Sequence, residues 1–323
     1  MIDQLYFLRI FAIVLIINSH LYEMWPIPQM AFGGHLGNSI FYLLSGYGLA
    51  LSNKRKKLPI LQWYKVRFVK VIFMLLIVFS IVDIGNMDRF VRHIFDDIIW
   101  NKKVQLAYFL PVLWGLYLLF PLVRKLSLMK KGYLIVITLF VSFFLFKYRI
   151  DGYVDIPTNM PSMDIFFSLN ALICFVVGVV LHDSKIVDYL YINNNKNNIF
   201  FIFLFILFLS QFIHQFIISS MLEFIYVNFY LNIVSVVAIF ILIFRVGFDI
   251  NPFRNVVFDL ANSSLAIYIV QFRIIPLVEE SSIAFPYNVV IVYSYSMLFG
   301  YAIYKFSSAC MGYKTIYQYY RQK

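Results

Sequence analysis

The stretch Tyr6–Leu21, YFLRIFAIVLIINSHL, decides the fold. It is apolar apart from Arg9 near its start and Asn18-Ser19-His20 near its end. Arg9 and His20 are eleven positions apart. At ~3.6 residues per turn they stand about three turns apart on one helix face, ~16 Å along the axis. A cation and an imidazole on one face of a membrane helix are costly unless they look into protein or a watery cavity. The plainer reading has Arg9 reaching the head groups and His20 resting at the far interface. The segment is longer than the apolar core of a secretory leader and has no small-x-small cleavage site. It is therefore read as a retained span.

The rest of the chain repeats that pattern. Of 323 residues, 62% are hydrophobic and 13% charged, against about 25% charged in a soluble protein. Apolar runs long enough to span a bilayer recur throughout. They predict an all-α polytopic membrane protein with about ten transmembrane helices, near 5–22, 32–51, 66–84, 105–123, 132–148, 165–181, 199–219, 228–247, 260–278 and 286–306. Loops after even spans and the C-terminal tail carry seventeen Lys and Arg residues, against six in the opposite loops. Basic loops stay inside, so both termini are expected in the cytoplasm, with Arg9 at the inner face and His20 at the outer. The net charge of +11 collects in particular loops and does not argue for nucleic acid. Residues 1–323 read as one membrane-embedded domain. Cys174 and Cys310 give neither a disulfide framework nor a metal-ligand spacing, and no metal is assigned.

Four further stretches carry polar or packing signals. In Trp63–Lys70, Arg67 and Lys70 share a helix face and run into an apolar segment. Fixed cations there suit a phosphorylated ligand, or an ordinary cytoplasmic anchor. Gly37–Tyr47, GNSIFYLLSGY, has small residues that let helices approach closely. Tyr108–Pro121 reads as an aromatic helix ending at a proline. In Ser263–Gln271, Gln271 and the nearby Arg273 lie deep enough to need partners. Lesser signals are the Gln211, His214 and Gln215 stripe, read as helix–helix bonding, His35, read as solvated in the first outer loop, and His93 and His182, read as loop histidines without ligand partners. Glu23, Trp25 and Gln29 in the first outer loop offer an aromatic face and polar groups, as a sugar site needs; Trp25 also fits an interfacial aromatic belt.

Taken together these stretches resemble the membrane acyltransferase-3 family, which O-acylates sugars and related acceptors. Arg9 and His20 fit its Arg-x10-His motif. Gly37–Tyr47 is similar to its "GV-lFFvlSGy" segment, Arg67 and Lys70 to its paired basic positions, Leu106–Pro121 to "LWFLyaligLYLl-P" and Ser264–Tyr268 to "S-giYl-H". The resemblance spans nearly the whole chain. Three positions depart from it. Lys70 stands where Arg is common, Gln271 where a histidine often ends the last motif, and Leu113 where many members carry Glu. Forked phosphate binding at position 70, a second catalytic histidine and an acid at position 113 are therefore not expected.

The resemblance implies an acyl-CoA donor, most simply acetyl-CoA, with Arg9, Arg67 and Lys70 holding its phosphates on the cytoplasmic side. His20 would meet the thioester and the acceptor, as general base or as covalent acyl carrier, since a neutral imidazole near pH 7 suits either role. Glu23, Trp25 and Gln29 would bind the acceptor, a cell-surface glycan or its lipid-linked precursor. The expected setting is the bacterial inner membrane, with lipid around the helices. A rival class is a transporter or flippase for an anionic or glycan-lipid substrate. It would also explain intramembrane Arg9 and His20, but the sequence shows no internal symmetry or broken half-helices.

Overall fold

A computed structural model describes residues 2–55, 59–82, 109–129, 161–184, 225–246 and 253–310, with single positions at 88, 91, 138, 205 and 209. Every regular element among them is helical. The α-helices are α1 (Ile2–Ser19), α2 (Gly34–Arg55), α3 (Ile60–Val82), α4 (Phe109–Met129), α5 (Pro161–Asp183), α6 (Ile225–Val246), α7 (Arg254–Glu280) and α8 (Tyr287–Cys310); a 3-10 turn, Pro28–Met30, lies between α1 and α2. Among the described residues, three helices are long and apolar enough to cross a membrane, over Phe109–Leu128, Arg254–Glu280 and Tyr287–Cys310.

The spans expected at 132–148 and 199–219 lie outside the described residues apart from Thr138, Phe205 and Leu209, and with them the Gln211, His214 and Gln215 stripe. Each of the other expected spans falls on one helix. Three helices differ most in extent, α7 by beginning at Arg254, six positions before the expected 260. α3 begins at Ile60, so Arg67 stands about two turns inside it rather than at its edge. α4 does not end at Pro121 but continues to Met129. A proline removes one backbone donor, and in membrane helices neighbouring groups and small local adjustments make up for the lost bond.

Packing gathers the chain into two compact units. The first comprises Met1–Ile16, Phe32–Leu58 and Tyr108–Asp249; the second comprises Ile17–Ala31, Pro59–Ala107 and Ile250–Lys323.

In the first unit α5 is the hub, packed on α2, α4 and α6. The GNSIFYLLSGY stretch explains its seat on α2. A Cβ at Gly46 would collide with the carbonyl of Phe175, and one at Gly178 would collide with the carbonyl of Leu43. The two backbones therefore touch reciprocally, at positions only glycine permits. Gly33, at φ 97°, turns the chain into α2 over Leu15. A polar pin crosses the same helices. Ser39 Oγ donates to the His35 carbonyl at 2.8 Å and accepts from Asn170 Nδ2 at 2.5 Å and Asn232 Nδ2 at 2.7 Å. One hydroxyl thus ties α2, α5 and α6, the kind of interhelical bond that stands in for a hydrophobic drive inside lipid.

Gly46→Ala is expected to destabilise the protein by about 1–3 kcal/mol or more, because the backbones must separate. Gly115→Ala on α4 is the control: no described residue lies within 4 Å of the added methyl. Thermal unfolding of both variants in detergent checks this, and equal melting temperatures would overturn it.

In the second unit α3, α7 and α8 pack on one another. α7 and α8 are joined by the short loop at 281–286 and run antiparallel. Gly300 of α8 lies against the backbone of Ile267 of α7, and Lys305 Nζ pairs with Asp259 Oδ2 at 2.7 Å. Met74, Leu75, Val78 and Phe79 of α3 are buried. The outer face of α8 leaves Val290, Leu298, Phe299 and Phe306 exposed. Such a face is costless against lipid tails, which are as apolar as the side chains.

Candidate functional site

α1 ends at Ser19, and His20 occupies the turn that follows, its N–H donating to the Ile17 carbonyl at 3.0 Å. The sequence placed His20 inside a helix running to residue 22. The helix stops earlier, where the Asn18 side chain turns to the loop beyond it. The His20 ring sits edge-on to Phe272 of α7, centroids 4.7 Å apart. Phe272 in turn packs on Tyr268, one helical turn before it. Neither His20 ring nitrogen is hydrogen-bonded to a described residue. The imidazole is thus held by its ring contact, without a hydrogen bond from either nitrogen to a described residue.

Asn18 organises the loop behind it. Its Nδ2 donates to the Met30 carbonyl at 2.7 Å, and its Oδ1 accepts from Trp25 Nε1 at 3.2 Å. The Trp25 ring rests on Phe285 at 5.5 Å. Asn288 of α8 adds a bond to the Met24 carbonyl at 3.2 Å. The loop that follows His20 is therefore tied at both ends. Glu23 and Gln29 are exposed, while Trp25 is half-buried with its indole N–H engaged. No sequence pattern marked Asn18 for this work. It stands two positions before the histidine.

Of the three cations expected on the donor, Arg9 falls in the first unit, and Arg67 and Lys70 in the second. Arg9 is half-buried on α1, its Nη2 3.6 Å from where a side chain at Gly48 would begin. Among the described residues it has neither an ion pair nor a hydrogen bond. Arg67 lies over the Trp63 ring, 5.9 Å from its centroid. Lys70 lies on α3, and its side chain is outside the described residues.

A second polar cluster was not read from the sequence. His182 is not a loop histidine but the penultimate residue of α5, and Arg124 is not a loop cation but part of α4. Arg124 Nη1 pairs with Asp183 Oδ1, which His182 Nδ1 also reaches at 3.0 Å. Ser127 Oγ donates to Asp183 Oδ2 at 2.9 Å. The Tyr47 ring stands edge-on to His182 at 5.3 Å. Asp183 is 1% exposed and Arg124 12%, so these charges depend on each other rather than on water. His35 lies in the first turn of α2, not in the loop before it, and is exposed. His93 lies outside the described residues.

A family model described as an acyltransferase domain, that of the acyltransferase-3 family, matches residues 2–305. No curated protein and no solved structure matches the chain. The match takes in every site residue named above, from Arg9 to Asn288, and the helices that hold them are those of a membrane protein. The chain belongs to the acyltransferase-3 family of membrane acyltransferases.

Proposed function

We propose that the protein moves an acyl group, most simply acetyl, from cytoplasmic acyl-CoA to a hydroxyl of a cell-surface glycan or its lipid-linked precursor, at the bacterial inner membrane. The observation that carries this reading is the His20 imidazole, fixed against Phe272 with both ring nitrogens free of described partners. A base for an alcohol needs an accessible nitrogen in a fixed place; a nucleophile that carries the acyl group needs the same. As base, His20 takes the proton of the acceptor hydroxyl as its oxygen attacks the thioester carbonyl. The C–S bond breaks, the ester C–O bond forms, and CoA leaves as the thiol after taking up a proton. Glu23, Trp25 and Gln29, on the loop that follows His20, would contact the acceptor.

Arg9 supports the donor side of the reading. A half-buried guanidinium without a partner among the described residues is costly in an apolar setting and gains from a phosphate. Arg67 and Lys70 are proposed for the donor's phosphates on the resemblance alone, Arg67 in forked geometry and Lys70 as a point charge. The test is transfer of labelled acetyl from acetyl-CoA to glycosides by the purified protein in lipid vesicles; wild-type protein that neither hydrolyses nor transfers the thioester would end the reading. Arg9→Ala and Arg67→Ala should each weaken acyl-CoA binding by ~1.5–3 kcal/mol, the range for hydrogen bonds to charged groups. Direct binding titrations read this, and unchanged affinity in both variants would exclude a phosphate role for the cations.

A further inference from the structure

We propose that Gln271, with Ser296 across from it, binds a hydroxyl group of the acyl acceptor next to His20. The proposal rests on the reading of the protein as an acyltransferase whose acceptor meets that histidine. Gln271 on α7 and Ser296 on α8 are both 0% exposed. Neither Gln271 Nε2 nor Oε1, nor Ser296 Oγ, is hydrogen-bonded to a described residue. The two positions share one level of the α7–α8 seam. Gly300 marks the register by its contact with Ile267. In antiparallel helices, four residues onward on α7 meet four residues back on α8, which brings position 271 opposite 296.

Buried amides and hydroxyls are almost always paired, and an unpaired amide in an apolar interior is among the costly states a helix can hold. If this pair served only to join α7 and α8, its members would bond each other; they do not. The chemistry of the pair selects its ligand. Gln271 offers an acceptor oxygen and a donor nitrogen, and Ser296 offers both in one atom. An anion would leave the amide oxygen unsatisfied, and an ammonium group would leave the amide nitrogen so. A hydroxyl, which donates and accepts at once, satisfies the pair. Phe272, the next residue along α7, carries the ring on which the His20 imidazole is set. Gln271 is thus placed on the same helical turn as the support of the reacting nitrogen.

The experiment measures transfer from labelled acetyl-CoA to alkyl glycosides such as octyl glucoside, in vesicles holding the full chain. Gln271→Leu should raise the acceptor KM about tenfold or more while the donor KM is unmoved, and Ser296→Ala should act in the same direction by a smaller factor. Gln271→His keeps a donor and an acceptor and should recover most of the loss. The melting temperature of Gln271→Leu should equal or exceed that of the wild type, because an unpaired buried amide has been removed. Wild-type transfer together with acceptor KM values within about twofold of it in both variants would overturn the proposal and leave the pair as helix packing. So would a loss that Gln271→His shares in full and that follows a lowered melting temperature. Wild-type protein that acylates no glycoside would instead overturn the glycan reading on which this proposal stands.

Discussion

His20→Ala is expected to lower acyl transfer by ~10²–10⁴, the usual worth of a positioned acid–base group. The protein should remain folded and still bind acyl-CoA, because the His20 ring makes one aromatic contact, with Phe272, and no side-chain hydrogen bond to a described residue. His20→Gln is the sharper variant. It keeps the size and a hydrogen-bonding end but removes the titrating nitrogen, and it should be as inactive as alanine. A His20→Gln enzyme with more than about a tenth of wild-type turnover would remove the base and covalent roles together, since that loss falls short of the expected range. The two roles part in a single readout. Protein denatured during turnover on labelled donor, without acceptor, holds the label only if His20 carries the acyl group.

Asp183→Ala is expected to be the most destabilising substitution in the first unit, by about 3–5 kcal/mol, the cost of leaving a buried charge without its partner. The carboxylate is the common acceptor for Arg124, His182 and Ser127, so its loss strands a guanidinium in α4 and a hydroxyl one turn further on. The double variant Arg124→Met, Asp183→Leu should recover most of that loss, because an apolar pair of similar volume avoids the desolvation of both ions. Unfolding in detergent measures each. If Asp183→Ala stays within about 1 kcal/mol of wild type, Arg124 reaches water and the cluster holds nothing together. Tyr47 gives the cluster a link to the second sequence motif, since its ring packs on His182 and on Phe240 and Phe244 of α6.

The helical membrane class, the position of the described helices to within about two turns, and the family were all legible along the chain. These follow from signals local to each segment: twenty-residue apolar runs, and motif residues at fixed spacing within one helix. His20, Arg9, Arg67 and Gln271 could be named for the same reason, because each is a polar residue in a stretch where lipid tolerates few. The close approach at Gly46 was legible as a tendency of small residues, though not its partner.

Which helices meet and which polar groups share a partner depends on contacts between segments far apart in the chain. Asp183 lies 56 positions beyond Ser127, and Asn232 lies 193 beyond Ser39; no periodicity links residues so far apart. His182 and Arg124 read as loop residues because hydropathy sees a charge and ends the span there. A charge that is neutralised by a neighbour from another helix stays inside, and that neighbour is invisible along the chain. The reverse holds for Gln271. The sequence required a partner for it, and folding buried it in α7 without a hydrogen bond to a described residue, because the meeting of α7 and α8 is fixed by the contact of Gly300 with Ile267 and by the Lys305–Asp259 pair.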